Sequence, residues 1–325
     1  MRLTRGRVIV AGVVVAFVVA FALVGVLSKS TKSTETTTTT AAAATTTAPA
    51  GGTAPTAQWY WTMAVSPSDQ NTLLLATSGG LDRSTDGGKT WRPTGPKGLN
   101  ATSVVQDGEK LLAGGAHVDE VASPVVMKGK TRSAGAGPQV LLSSSDDGKT
   151  WKQLHPSGLP DVTLQALTLD PGGTTLYALL SDGRLYRSTD GARSFRLAAR
   201  KIGAPPWALV VTKGGHFVAG NMDTGAYIST NGTSWRHTPF TDSRGGTMVM
   251  EYAVKPGDPA TVLMSAFGLE LSNDAGRRWH TALKSNVMFG PVAWAPSAKD
   301  VAYAVGFDGT VWRSADGGKS WAKVT

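Results

Sequence analysis

The stretch Ser84-Thr85-Asp86-Gly87-Gly88-Lys89-Thr90-Trp91 decides the fold, because related copies of it recur five more times along the chain. The copies share the consensus Ser-x-Asp-x-Gly-x-Thr-Trp, and they begin 60, 44, 41, 43 and 42 residues apart. The six ranges are 84–91, 144–151, 188–195, 229–235, 272–279 and 314–321. A repeat of about 40 residues with one tight turn per unit is typical of propellers and solenoids.

Each repeat also predicts four short strands. The segments in the last repeat are 290–294, 301–306, 310–313 and 321–324, and those in the third are 164–169, 175–180, 184–187 and 195–198. They alternate in polarity and are bounded by Gly, Asp or Pro, as strands usually are. We therefore predict an all-β fold, a six-bladed β-propeller of four-stranded antiparallel blades over residues 58–325. Its sixth blade would close the ring by packing on the first. A seventh blade without the motif would have little room in residues 98–143.

The repeated motif is predicted to be structural. Its Asp carboxylate can accept hydrogen bonds from the N–H groups of its own turn, and its Gly can adopt a positive φ. Its aromatic residue is expected to pack against the next blade. The residues given these roles are Asp86, Trp91, Asp146, Trp151, Asp190, Phe195, Asp274, Trp279, Asp316 and Trp321.

These octapeptides resemble the Asp boxes, or BNR repeats, of sialidases, sortilin-type receptors, xyloglucanases and photosystem II assembly-factor propellers. The resemblance extends from Trp59 to Thr325. Some copies depart from the pattern, with Ala192 in place of Gly, Asn231 in place of Asp and Arg278 in place of Thr. The resemblance implies the propeller fold. It implies no single activity, because one fold supports unrelated functions.

The N-terminal part of the chain predicts a membrane anchor and a stalk. Residues 1–7 form a basic segment, expected to be cytoplasmic, and residues 8–27 are an uncharged apolar run long enough for a transmembrane helix or signal anchor. The alternative is a secretory signal cleaved near Ala20-Phe21-Ala22. Residues 28–57 are rich in Thr and Ala and predict a disordered linker. Either alternative places the propeller outside the cytoplasm, at the cell membrane or secreted.

The composition of the chain argues against several classes of function. The net charge is +9, of which residues 1–57 contribute five Lys/Arg and one Glu, leaving +5 on the propeller. This excess is ordinary for solubility and predicts no nucleic-acid binding. The chain has no cysteine, and its five histidines are scattered, so no cofactor and no metal site is expected. A monomer is expected.

A ligand is expected on the face opposite the motif turns, over the central channel. Candidate binding residues there are His117, Asp119, Asp182, Asp223, Asp308 and Arg244. Three of the acids belong to Asp-Gly or Asp-Thr-Gly turns, for which turn formation alone is a sufficient explanation. An insertion at 118–138 is expected to overhang this face, as a functional loop or as a tolerated insertion without a role.

A sialidase-like activity is the enzymatic alternative. Such enzymes need an arginine cluster, a Tyr nucleophile with a Glu partner, and an acid/base Asp. Glu251 and Tyr303 are the candidate catalytic residues, whereas Arg83, Arg187 and Arg313 precede motif serines and are expected on the wrong face. The early Arg-Ile-Pro segment of sialidases is missing. The sequence therefore favours a membrane-anchored, non-catalytic binding or assembly module for glycan or protein ligands. The alternative is an exo-acting glycoside hydrolase of sialidase-like type.

Overall fold

The structure is a computed structural model that describes residues 52–117, 139–202, 207–221, 225–238 and 240–325. The expected anchor at 8–27, the insertion at 118–138, Asp119 and Asp223 lie outside these ranges. Within them, the chain forms β-strands and one short 3-10 turn, Lys213–Gly215. No helix in the described ranges has the length and apolar character needed to cross a membrane.

Four antiparallel sheets of four strands follow one another along the chain. The first has β1 (Tyr60–Val65), β2 (Leu73–Thr77), β3 (Gly80–Ser84) and β4 (Arg92–Thr94). The second has β5 (Leu99–Asp107), β6 (Lys110–His117), β7 (Gln139–Ser144) and β8 (Lys152–Leu154). The third has β9 (Leu164–Leu169), β10 (Leu176–Leu180), β11 (Leu185–Ser188) and β12 (Arg196–Ala199). The fourth has β13 (Ala208–Thr212), β14 (His216–Asn221), β15 (Gly225–Ser229) and β16 (Arg236–Thr238).

The last part of the chain forms one six-stranded sheet that contains the fifth and sixth motifs. Its strands are β17 (Glu251–Lys255), β18 (Asp258–Ser272), β19 (His280–Ala295), β20 (Ala298–Gly306), β21 (Val311–Ser314) and β22 (Ala322–Lys323). The first half of β19 pairs with β18 and its second half pairs with β20. The chain between the fifth and sixth motif units therefore stays extended, and the two units share one sheet.

The predicted strand positions are confirmed, because the segments that alternate in polarity form strands with nearly the same bounds. The predicted segment 164–169 coincides with β9, and 184–187 lies one residue before β11. Residues 99–117 and 139–154 form a single four-stranded sheet, so the described residues in this stretch hold one blade. The fold is an all-β propeller of four-stranded antiparallel blades.

The core of the described residues consists of six clusters of buried apolar side chains, five between successive sheets and one between the two motif units of the last sheet. One cluster joins the last sheet to the first and so closes the ring, with Met63 and Leu75 packed against Val305 and Tyr303. The motif aromatics also lie in these clusters. Trp151 packs with the first sheet and Phe195 with the second. The expectation that each aromatic packs on the next blade was wrong, since the partner is the preceding sheet.

The chain joins the ring earlier than the expected start at residue 58. The N–H of Ala54 donates to the carbonyl of Gly309 at 2.8 Å, and the N–H of Val311 donates to the carbonyl of Gly52 at 3.0 Å. The Tyr60 hydroxyl donates to the carbonyl of Pro55 at 2.8 Å. Residues 52–55, assigned to the linker from sequence, thus complete the closing contact between the last and first sheets.

Candidate functional site

The strand order gives the propeller two different ends. At one end, which we call the motif face, the motif turns contact the turns between first and second strands, as in the hydrogen bond from Gly87 N–H to Asn71 O at 2.9 Å. At the other end, which we call the link face, the turns between second and third strands meet the links between sheets. There Ser78 N–H donates to Trp59 O at 3.0 Å and Phe307 N–H to Met288 O at 2.9 Å.

The motif turns are held by their own carboxylates. Asp86 Oδ1 accepts from the N–H groups of Lys89 at 3.0 Å and Thr90 at 2.9 Å, and Oδ2 accepts from the Thr90 hydroxyl at 2.6 Å. Ser84 Oγ donates to Asp86 at 2.8 Å and accepts from Gly88 N–H at 2.9 Å. The same pattern recurs around Asp146, Asp190 and Asp316. The motif carboxylates therefore act as turn acceptors.

These hydrogen bonds favour the ionised carboxylate. The hydroxyl and the N–H of Thr150, with that of Ser144, lower the pKa of Asp146 to about 2. At the fifth motif Arg278 replaces Thr, so Asp274 accepts from two backbone N–H groups and one serine but from no second hydroxyl. The six turns thus form a series that differs in the number of hydrogen bonds.

We expect Asp86→Ala to lower the free energy of unfolding by about 1–3 kcal/mol, because two turn N–H groups and two hydroxyls lose their acceptor. Asp274→Ala should cost less, since its turn has one hydrogen bond fewer. Chemical denaturation of both variants measures the difference. Equal losses would mean that the Thr90 hydroxyl bond contributes nothing. If Asp86→Ala unfolds like the parent but loses a ligand, the motif face is the binding face.

The described members of the predicted binding set, Asp182, Asp308 and Arg244, are scattered over the link face. Asp182 caps its own turn through the N–H of Arg184 at 3.0 Å and pairs with the Arg184 side chain at 2.7 Å. Asp308 is exposed and accepts from Thr310 N–H at 3.0 Å. Arg244 is exposed on the link before β17, with its guanidinium 4.4 Å from the centre of the Phe267 ring. Asp119 and Asp223 are not described, and neither is the side chain of His117, at the end of β6. The described acids therefore serve their own turns.

Four aromatic rings meet on the link face, where the inner strands begin. Trp59 stacks on Trp61 at 5.8 Å between ring centres, and Trp59 also contacts Phe307 at 5.7 Å. Trp61 of the first sheet contacts Trp207, which precedes β13 of the fourth sheet, at 5.7 Å. We call Trp59, Trp61, Trp207 and Phe307 the mouth cluster. All four side chains are half-buried, so part of the cluster is open to solvent.

Below the mouth cluster runs a central channel of about 220 Å³. Its wall includes residues of β1, β5, β9, β13, β17 and β19, the inner strand of each motif unit. Glu251 lines it at the link-face end of β17 and is 8% exposed. Its Oε1 accepts the N–H of Tyr252 at 2.9 Å. Burial raises the pKa of Glu251 to about 8, so the carboxyl is mostly protonated at neutral pH unless a cation approaches.

Glu251 and Tyr303 do not form a catalytic pair in this structure. Tyr303 has no exposed surface, and its hydroxyl accepts from Arg313 Nε at 3.3 Å beside the motif turn at Gly87. Arg83 Nε donates to the carbonyl of Asp147 at 2.6 Å, in the motif turn of the neighbouring sheet. The hydroxyl of Tyr303 is thus at the motif face, whereas Glu251 is at the link-face end of the channel.

Sequence reasoning named Glu251 but missed the mouth cluster. Trp59 and Trp61 lie at the predicted start of the propeller, and nothing in the sequence pattern showed that Trp207 would contact Trp61 from another sheet. Apolar residues at the first position of an inner strand are the signal that could have indicated such a cluster. In the described ranges no group of His, Cys, Asp or Glu side chains could hold a metal ion.

Several solved structures share this fold. A YCF48 protein bound to a D1 peptide matches with a TM-score of 0.51 and 19% identity, over 85% of this chain and 86% of that one. A protein of unknown function from Bacteroides thetaiotaomicron matches with a TM-score of 0.56 and 12% identity, over 85% and 72%. An ancestral GH74 enzyme gives a TM-score of 0.52 and 17% identity, over 83% of this chain but 41% of that one. At these identities the likeness shows the fold alone.

The comparison of sequences is more specific than the comparison of structures. No curated protein matches the chain significantly. Residues 53–325, however, match the family described as photosynthesis system II assembly factor YCF48, in agreement with the six motifs and the sheets described above. The matched range begins at the residue where the chain joins the last sheet. The chain therefore belongs to the photosynthesis system II assembly factor YCF48 family.

Proposed function

We propose that this protein is a non-catalytic binding or assembly module that holds a polypeptide segment of another protein against its link face. The observation that carries the proposal is the mouth cluster, four half-buried aromatic rings at the link-face end of the inner strands. Aromatic side chains concentrate binding energy at protein interfaces. Rings gathered at one point are therefore suited to anchor a partner.

Family membership supports a polypeptide over a glycan as the ligand. A related protein of the family has been captured with a D1 peptide, and we extend peptide binding, as a class, to this chain. The buried position of Tyr303 and its hydrogen bond with Arg313 do not favour sialidase-like chemistry. The glycan ligand and the glycoside hydrolase remain the alternatives that the experiments below address.

The proposal includes the wider organisation of the chain. We propose six blades, with the fifth and sixth joined through β19, and a single-pass anchor at residues 8–27 that holds the propeller on the extracytoplasmic side of the cell membrane. The six inner strands around one channel support the blade number. The uncharged run and the basic residues before it support the anchor and its orientation.

A photo-crosslinking residue at position 58, next to Trp59 and exposed, tests the binding surface. The same residue at position 89 on the motif face is the matched control. We expect crosslinks to a polypeptide from position 58 and few from position 89. Trp207→Ala should abolish those crosslinks, because it removes one wall of the mouth cluster, while thermal stability falls only slightly.

Crosslinks from position 89 alone would place the binding surface on the motif face and overturn the proposal. A panel of fluorogenic sialosides and other glycosides tests the enzymatic alternative on the same preparations. Turnover that disappears in both Glu251→Gln and Tyr303→Phe would replace the binding role by a hydrolase.

A further inference from the structure

The fourth motif, residues 229–235, is one residue shorter than the others, and the hydrogen bonds show which residue is missing. In the second motif the N–H of Gly148 donates to Ser144 Oγ, and in the fourth motif the N–H of Gly232 donates to Ser229 Oγ. The two glycines are therefore equivalent. The residue before Gly148 is Asp147, the fourth of its motif, and it has no counterpart in the fourth copy.

In two other places this fourth position covers a side chain of the neighbouring sheet. The carbonyl of Asp147 accepts from Arg83 Nε at 2.6 Å. The equivalent residue of the first motif is Gly87, on which a Cβ atom would lie 3.3 Å from the Tyr303 hydroxyl. Tyr303 pairs with Arg313 in the strand register and has no exposed surface. The missing position is thus one that normally covers the pair beside it.

The pair beside the shortened turn is Tyr177 and Arg187 of the third sheet. They have the same register as the pair at 303 and 313, with the arginine again directly before the motif serine. Here the tyrosine is half-buried and Arg187 is exposed, because the residue that would cover them is absent. Arg187 forms no hydrogen bond or ion pair with another described residue. Opposite it on β12 is Arg196, so the adjacent strand supplies no counter-charge.

A groove of about 380 Å³ lies at this place, between the third and fourth sheets. The residues that line it include Arg187, Tyr177, Ala198, Phe217 and Asn231. The tyrosine, the alanine and the phenylalanine belong to one apolar cluster, with the two ring centres 5.0 Å apart. The groove therefore has a cation with no partner beside an apolar wall.

The second departure of the fourth motif also favours an anion. Asn231 stands where the other five motifs have Asp, so this turn has no carboxylate at that position. Its Oδ1 accepts from the N–H groups of Thr233 and Ser234 at 2.9 Å each, and its NH₂ group remains as a donor. Asp170, whose charge acts on Tyr177, accepts hydrogen bonds from its own turn and does not line the groove.

We propose that this groove binds a small organic carboxylate, with its carboxylate group on Arg187 and its apolar body against Tyr177 and Ala198. A guanidinium matches a carboxylate by two parallel hydrogen bonds. One guanidinium among the lining residues suits a singly charged anion, and the apolar wall suits a molecule with a hydrocarbon part. The groove is at the motif face, away from the mouth cluster, so the inference does not rest on the proposed function.

The test uses the full chain in mild detergent, titrated with sodium benzoate and followed by saturation-transfer NMR. Benzamide, of the same shape but uncharged, is the control probe and should bind much more weakly. We expect Arg187→Gln to weaken benzoate binding about tenfold or more, because the charge-assisted hydrogen bonds are lost. Arg83→Gln is the matched control, since Arg83 precedes a motif serine but is already bonded to the next turn. It should bind benzoate like the parent.

A second variant tests the role of the short turn. One glycine added between Asn231 and Gly232 gives the fourth motif the length of the others and should close the groove. Benzoate binding should then fall as in Arg187→Gln, although the arginine is kept. Circular dichroism verifies that each variant folds.

Equal affinity of benzoate for Arg187→Gln and the parent, equal binding of benzoate and benzamide, or no binding of benzoate would overturn the inference. Sodium phosphate is the third probe. Phosphate that binds more tightly than benzoate, and that Arg187→Gln loses, would show that the groove selects phosphate and that the carboxylate is wrong. The polypeptide crosslinks at position 58 are independent of all these results, so failure here and failure of the binding role are distinguishable.

Discussion

Replacing Tyr303 by alanine is expected to lower the free energy of unfolding by about 4 kcal/mol, the usual cost of removing a large ring from a packed core. Tyr303 has no exposed surface and lies in the cluster that joins the last sheet to the first, beside Val305 and Leu75. The cavity left by the variant would lie in the contact that closes the ring. Chemical denaturation followed by tryptophan fluorescence measures the loss.

Two variants sharpen this prediction. Tyr303→Phe keeps the ring and removes the hydroxyl that accepts from Arg313, so its cost should be about 1 kcal/mol. Leu197→Ala alters a side chain that is 42% exposed and should leave stability within about 0.5 kcal/mol of the parent. A loss in Tyr303→Ala no larger than that in Leu197→Ala would mean that the closing contact contributes little to folding.

Glu251→Gln is expected to stabilise the protein at alkaline pH and to change it little in acid. Burial raises the pKa of Glu251 from 4.5 to about 8 in the folded state. The folded state therefore binds a proton that the unfolded state releases, and stability of the parent falls as pH rises from about 4.5 to about 8. Glutamine cannot ionise, so the variant should exceed the parent in free energy of unfolding by up to about 5 kcal/mol at pH 9.

The difference in free energy of unfolding between variant and parent reports on Glu251 alone, because both proteins contain the same two other buried acids. Burial also raises the pKa of Asp82 to about 6 and that of Glu270 to about 7, so the parent alone would show a composite pH dependence. Denaturation curves of both proteins between pH 5 and pH 9 provide the measurement. A difference that stays constant across this range would contradict the protonated, buried state of Glu251.

The fold could be predicted from the sequence because the residues that specify it lie close together along the chain. The motif repeats at nearly constant intervals, and each Asp has its hydrogen-bond partners within four residues, as Asp86 has with Thr90. The alternation of segment 164–169 predicted β9 directly. Two features of the fold were not predicted. The extended link that joins β18 to β20 through β19 has no apolar pattern that distinguishes it from a loop. Residues 52–55 are small or polar, so their pairing with the last sheet left no signal.

The site was less accessible because its parts are distant in sequence. Trp61 and Trp207 come together only when the first and fourth sheets face one channel, and no local pattern encodes that contact. Glu251 could be named as an acid but not as a buried one, since its exposure depends on the neighbouring inner strands. Acidic turns such as Asp182-Gly183 were predicted to bind a ligand on the link face, but the carboxylate of Asp182 caps its own turn.

The way residues 52–55 enter the ring has a mechanical consequence. A pull on the chain ahead of Gly52 is borne first by the hydrogen bonds that join Gly52 to Val311 and Ala54 to Gly309, before any strain reaches β1. A force on the N-terminal segment therefore acts first on the contact that closes the ring between the last and first sheets. A cut between Pro55 and Tyr60 would leave residues 52–55 held by hydrogen bonds that include these two and the one from Tyr60 to Pro55, while the sheets on either side remained whole.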